Sequence, residues 1–171
     1  MSSIAHTADH AHGDHHENFL SKKGIMSWLS SVDHKRIGLL YLYTGLAAFL
    51  VGGVFALLLR TELFFPGKTF VDEKTYNVFF TLHGSLMIFV FIVPGIVASF
   101  GNIFMPIMIG ARDVAFPVLN RFSYQIYLFG IAVILIGLVD PFKWFGGPAD
   151  TGWTFYTPYS TKTNTSVITM T

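Results

Sequence analysis

The chain has 171 residues, of which 52% are hydrophobic, 16% aromatic and only 12% charged, whereas a soluble domain carries about 25% charged residues. With 11 basic and 10 acidic residues the net charge is +1, and there is no cysteine. These figures exclude a nucleic-acid binder, a disordered chain, a disulfide scaffold, an iron–sulfur protein and an ordinary soluble domain, and leave an integral membrane protein.

Residues 1–24 are polar and hold His6, His10, His12, His15 and His16. They offer too little apolar area to offset chain ordering, so a mobile tail with incidental metal affinity is expected there. It does not read as a secretory signal, because no short apolar stretch with a small-residue cleavage site precedes residue 37. Residues 25–36, IMSWLSSVDHKR, are amphipathic and end in Lys35 and Arg36; with Trp28 they suit a membrane–water interface.

Residues 37–141 divide into three spans. Ile37 to Leu59 is uncharged and longer than the roughly 20 residues that cross a bilayer. Gly38, Gly45 and Gly52 recur on one stripe of it, which permits close helix contact. The expectation is that this stripe meets helices outside the chain. Arg60 and Glu62 close the span, and Pro66-Gly67 marks a turn. The next uncharged run, Thr75 to Ala111, is far too long for one straight crossing. It is expected to split into a helix from about Tyr76 to Phe100, kinked at Pro94, and an interfacial or re-entrant segment GNIFMPIMIG. After a loop holding Arg112, Asp113 and Arg121, Phe122 to Val139 forms the third span, closed by Asp140-Pro141. Residues 142–171 read as loop. Lys22, Lys23, Lys35, Arg36, Arg112 and Arg121 outnumber by one the cations on the other side, which favours an inner N-terminus.

His83 is the only histidine within an uncharged run. An imidazole at that depth needs a partner, either a metal or another helix. Gly84, Thr81 and Ser85 leave room beside it, and Phe79, Phe80, Phe89 and Phe91 can wall a flat apolar ligand or face lipid. Arg60 can hydrogen-bond a polar group of a buried cofactor or simply reach the interface from a helix end. Glu62 near the Pro66-Gly67 turn can join backbone carbonyls around a hard cation. Asp113, with Asn102 and Asn120 nearby in sequence, can admit protons to a water chain or pair with Arg112 or Arg121.

Five stretches come in a recognisable order: DHKRIGLLYL (33–42), RTELFFPG (60–67), YNVFFTLHGSLMIF (76–89), FGNIFMPIMIGARDVAFPVLNRFSY (100–124) and TGWTFYTPYS (151–160). Together they resemble the N-terminal third of subunit I of the haem–copper cytochrome c oxidases. The resemblance implies an all-α membrane protein whose three transmembrane helices form part of a bundle of about twelve. His83 would be an axial ligand of a low-spin haem of the haem A type, and Arg60 would bond its formyl group. Glu62, with carbonyls near Phe65 and Gly67, would fall at a calcium or sodium site. Asp113 would be the entrance of the proton-uptake path called the D channel, with Asn102 and Asn120 just inside it. Trp153 and Tyr156 would lie in an outer loop near the haem and subunit II.

Arg112 stands where the family often has Pro, Arg121 where it often has a second Asn, Tyr76 where Trp is usual, and Tyr156-Thr157-Pro158 where Tyr-Pro-Pro is common. After His83 no histidine follows, so the high-spin haem, the copper and the second low-spin ligand would come from residues outside the chain. The expectation is therefore a segment of a longer subunit I, inactive alone. It would work with the remainder of subunit I, subunits II and III, cytochrome c as electron donor, and a bacterial plasma or mitochondrial inner membrane. Alternatives are a quinol oxidase subunit I or a short non-catalytic assembly or haem-carrying paralogue.

Overall fold

The computed structural model describes residues 24–139, 147–154 and 156–162, so all but the last residue of the tail expected at 1–24 and the Asp140-Pro141 end of the third span lie outside them. The described residues form five helices and no strand. A short α1, Ile25–Leu29, precedes α2, His34–Glu62. Asp33 separates the two and caps α2, its carboxylate accepting the Lys35 N–H at 2.9 Å. The amphipathic stretch 25–36 is thus two helix ends and a turn, with Trp28 folded back over the Arg36 guanidinium at 5.6 Å.

α3 runs without a break from Glu73 to Met108. Asp72 caps its start through the Thr75 N–H. Its middle third, Leu86–Ala98, opens to π-helical geometry around Pro94. The expected break after Phe100 does not occur, and GNIFMPIMIG is the last turns of the same helix rather than a re-entrant piece. The reason is local. The Asn102 side chain donates back to the Ala98 carbonyl at 2.8 Å instead of competing for a turn. The true stop is Gly110, at φ 70°, with Ala111 N–H closing onto the Pro106 carbonyl at 2.9 Å. α4, Pro117–Val139, begins earlier than the expected Phe122, with Pro117 in the first helical position where its missing N–H costs nothing. α5, Tyr159–Lys162, is a single turn.

α2, α3 and α4 are each long and apolar enough to cross a membrane. α2 and α3 run antiparallel and meet along the glycine stripe. A Cβ on Gly38 would stand 2.8 Å from Ile103, one on Gly45 3.2 Å from the Gly95 Cα, and one on Gly52 3.1 Å from Met87. The stripe therefore finds its partner inside the chain, not outside it as expected. Without a hydrophobic force between helices in lipid, such backbone approach is what dispersion and packing require. α4 joins at one end, where Tyr41, Tyr124 and Ile37 form a buried cluster and the Tyr41 and Tyr124 rings meet edge-on at 4.9 Å. Many large apolar side chains still face outward, among them Leu50, Leu57, Val97 and Phe129, as lipid or further helices demand.

Candidate functional sites at the two ends of the bundle

Because α2 and α3 are antiparallel, the expected site residues separate onto two ends. Arg60, Glu62 and His83 lie toward one, and Asp113, Asn102 and Asn120 toward the other.

At the first end the His83 ring is half-buried, and its Nδ1 lies 2.9 Å from the Gly52 carbonyl. A carbonyl only accepts, so Nδ1 carries the proton. In the neutral imidazole this leaves Nε2 with the lone pair. Glycine at 52 is what lets α3 come this close. The bond is thus both an interhelical tie and the kind of anchor that orients a metal-binding histidine. Gly84 follows, and a Cβ there would stand 2.6 Å from the Trp153 ring. The segment 149–153 is held to α3 by the Gly152 N–H donating to the Thr81 hydroxyl at 2.8 Å, with Asp150 buried beneath it. Neither contact was evident from sequence spacing.

The four phenylalanines do not gather into one wall. Phe79 tilts onto Phe55 at 5.4 Å, Phe91 onto Phe49 at 4.8 Å, Phe89 meets Trp153 edge-on at 6.0 Å, and Phe80 lies beside Gly152. Arg60 is exposed at the end of α2. Glu62 is buried and accepts the backbone N–H groups of Thr69, Phe70 and Val71 at 2.8, 3.1 and 3.4 Å. It thereby ties down the turn through Gly67 and borders a cleft of about 840 Å³ that also includes Phe65, Gly67 and Asp72. Among the described residues no group of three or more His, Cys, Asp or Glu side chains could hold a metal ion. A cation beside Glu62 would need mainly carbonyl oxygens.

At the second end Asp113 pairs with neither arginine. Its Oδ1 lies 2.7 Å from Nδ1 of buried His34 and accepts the Val114 N–H at 2.7 Å. Arg121 instead donates to the Ser30 carbonyl at 3.1 Å. His34 was missed. The available signal was its place beside Asp33 and Lys35 at a membrane boundary, where a buried imidazole needs a polar partner. Asn120 donates to the Asn102 side chain, bringing the two amides together. They line an open cleft with Val114 and Ser123. From there hydroxyls continue inward, with Ser123 bonded to the Asn120 carbonyl and to Tyr41, and Thr44 to Tyr124. Ser99, fully buried beside Gly38, has a hydroxyl without a partner among the described residues. An exposed carboxylate, paired amides and a file of hydroxyls can bind and pass a proton through water.

Comparison with known proteins gives one consistent result. The sequence model of the family described as "Cytochrome C and Quinol oxidase polypeptide I" matches residues 36–171. The chain is 46% identical over 136 residues to a probable cytochrome c oxidase subunit 1-alpha of Streptomyces avermitilis, covering 80% of this chain and 23% of that protein. It is 44% identical over 140 residues to the cytochrome c oxidase subunit 1 of Corynebacterium diphtheriae, covering 81% and 24%. Against the cytochrome c oxidase subunit 1 of Corynebacterium efficiens it is 42% identical over 142 residues, covering 82% and 24%. The chain thus spans about a quarter of the length of these curated relatives.

Proposed function

The chain belongs to the cytochrome c and quinol oxidase polypeptide I family, and from that premise we propose that it is the N-terminal portion of the catalytic subunit of a terminal oxidase. The complex reduces dioxygen to water with electrons from cytochrome c and pumps protons across the membrane that α2, α3 and α4 cross. The names of the similar proteins favour cytochrome c over quinol as donor. The other partners are the remainder of subunit I and subunits II and III.

In this reading His83 would hold the iron of a low-spin haem, and the observation that carries it is the Nδ1 bond to the Gly52 carbonyl. That bond fixes the tautomer and the ring angle and keeps the Nε2 lone pair for iron. The donor set fits the group, since a neutral imidazole is a common haem ligand. When bound, the haem supplies the one-electron relay. Arg60 would donate to its formyl group, as a charged fork at a helix end can. Residues outside this chain hold the high-spin haem and copper. Glu62, with carbonyls near Phe65 and Gly67, takes calcium or sodium.

Asp113 receives protons at the other end, on the inner side of the membrane with the N-terminus. His34 holds its carboxylate in place, and Asn102 and Asn120 orient water just inside. Arg112 and Arg121 leave Asp113 free of a permanent guanidinium partner, which suits a group that must exchange protons.

The test is His83→Ala in the assembled oxidase. Loss of the low-spin haem spectrum is expected; a complex with that spectrum unchanged would overturn the ligand assignment.

A further inference from the structure

Pro94 lies in the middle of α3, between the two sites. In an α-helix the Val90 carbonyl accepts the N–H of residue 94, which proline lacks. Val90 is 1% exposed, so water does not reach that carbonyl, and in the π-helical stretch its partner within the helix is the N–H five residues on, that of Gly95. The Tyr127 hydroxyl of α4 also donates to the Val90 carbonyl, at 2.9 Å. Gly95 completes the junction, since a Cβ there would stand 2.9 Å from the Val90 oxygen, 3.2 Å from the Gly45 Cα and 3.8 Å from the Tyr127 hydroxyl. All three spanning helices therefore meet around one carbonyl, at the centre of the widened stretch Leu86–Ala98. The neighbouring tyrosines do something else. The Tyr41 hydroxyl meets Ser123 and that of Tyr124 meets Thr44, both side chain to side chain.

We propose that Tyr127 is a positioning residue whose hydroxyl holds the widened turn of α3 at Val90 and thereby sets the rotation of His83 relative to Asn102. A π-helical stretch takes more residues per turn than an α-helix, so the extent of widening decides how side chains before it face relative to those after it. His83 precedes the stretch and Asn102 follows it. Removing the hydroxyl takes away the interhelical bond that holds the Val90 carbonyl in the five-residue turn, and the turn shifts. The shift reaches His83, whose ring is tied to Gly52 on a helix that does not move with it. The haem consequence rests on the reading of His83 as a haem ligand; the carbonyl consequence does not.

The experiment is Tyr127→Phe in the assembled oxidase, with the Val90 carbonyl labelled with 13C and followed by isotope-edited infrared spectroscopy. The ring keeps its packing on Tyr41, at 5.1 Å between centroids, so the complex is expected to fold with full haem content. The Val90 stretch should rise in wavenumber as a hydrogen bond is lost, and the low-spin haem band should move. In the Pro94→Ala background, where an N–H is restored at that position and the turn no longer has to widen, Tyr127→Phe should leave the low-spin haem band where it was, and a band that still moves overturns the proposal. An unmoved Val90 stretch in Tyr127→Phe overturns the proposal, because the bond is then absent. A moved stretch with an unmoved haem band also overturns it, because the bond is then structural only. Loss of His83 as the haem ligand is diagnosed separately, by His83→Ala.

Discussion

Gly45 and Gly53 sit on the same helix, yet alanine at the two positions should act in opposite directions. At Gly53 an added Cβ meets nothing within 4 Å, so the substitution gains helix propensity of about 1 kcal/mol. At Gly45 the Cβ would lie 3.2 Å from the Gly95 Cα, 3.7 Å from its carbonyl carbon and 3.7 Å from Phe91. Two of these are backbone atoms of α3, so no side-chain rotation relieves them. The helices must separate by a few tenths of an ångström along the stripe that also carries the Gly52–His83 contact. Overpacking of this kind costs about 1–3 kcal/mol, which outweighs or cancels the propensity gain. Gly53→Ala is therefore expected to be the more stable of the two variants by about 1–3 kcal/mol. Unfolding of the detergent-solubilised complex, followed by release of the low-spin haem against temperature, measures the difference. Equal stability, or a more stable Gly45→Ala, would refute the close α2–α3 approach from which the ranking is derived.

Asp113→Asn removes the titratable group and weakens the tie to His34. It should slow proton uptake and pumping in vesicles while leaving haem content alone, and an unchanged proton-to-electron ratio and turnover would return Asp113 to a structural contact. Arg60→Met should retain the haem but move its absorption band and potential, since a charged hydrogen bond is lost; identical spectra would mean that Arg60 only reaches the interface. At the start of α3 the Thr75 hydroxyl, joined by backbone N–H groups, holds the Asp72 carboxyl below its ordinary value of 3.8. A depressed folded value means that the cap stabilises the helix above pH 3.8 and that this contribution fades as pH falls through the lower folded value. Thr75→Val should move the Asp72 carboxyl NMR titration upward, and an unmoved midpoint would show that the hydroxyl contributes nothing.

Much of the architecture was legible because the bilayer acts residue by residue. The uncharged runs placed three spans, since each apolar residue and each excluded charge contributes its own transfer free energy. His83 stood out for the same reason, as the one imidazole in such a run. The Gly38–Gly45–Gly52 repeat announced a close helix contact, but it was read as facing helices outside the chain, whereas α3 fills it. Asn102 and Asn120 were singled out beside Asp113, but their hydrogen bond to each other was not read from the sequence.

What tertiary structure alone decided are the contacts between residues far apart in the chain. His34 and Asp113 are separated by 79 positions, and nothing local distinguished that pairing from one with Arg112 or Arg121. It depends on where α2 and the loop after α3 end once the glycine stripe has set their distance. The tautomer of His83 follows from Gly52 in the same way, through an approach that glycine permits and only packing brings about. The continuity of α3 past Gly101 and Pro106 was misread because glycine and proline were weighed as local breakers. In the folded chain the α-helical bond that Pro94 cannot make is replaced across a widened stretch, and a hydroxyl from α4 adds a further bond to the Val90 carbonyl. Burial in lipid is a sum over single residues and is written in the sequence. Which donor meets which acceptor is a property of pairs, and it exists only once the helices have packed.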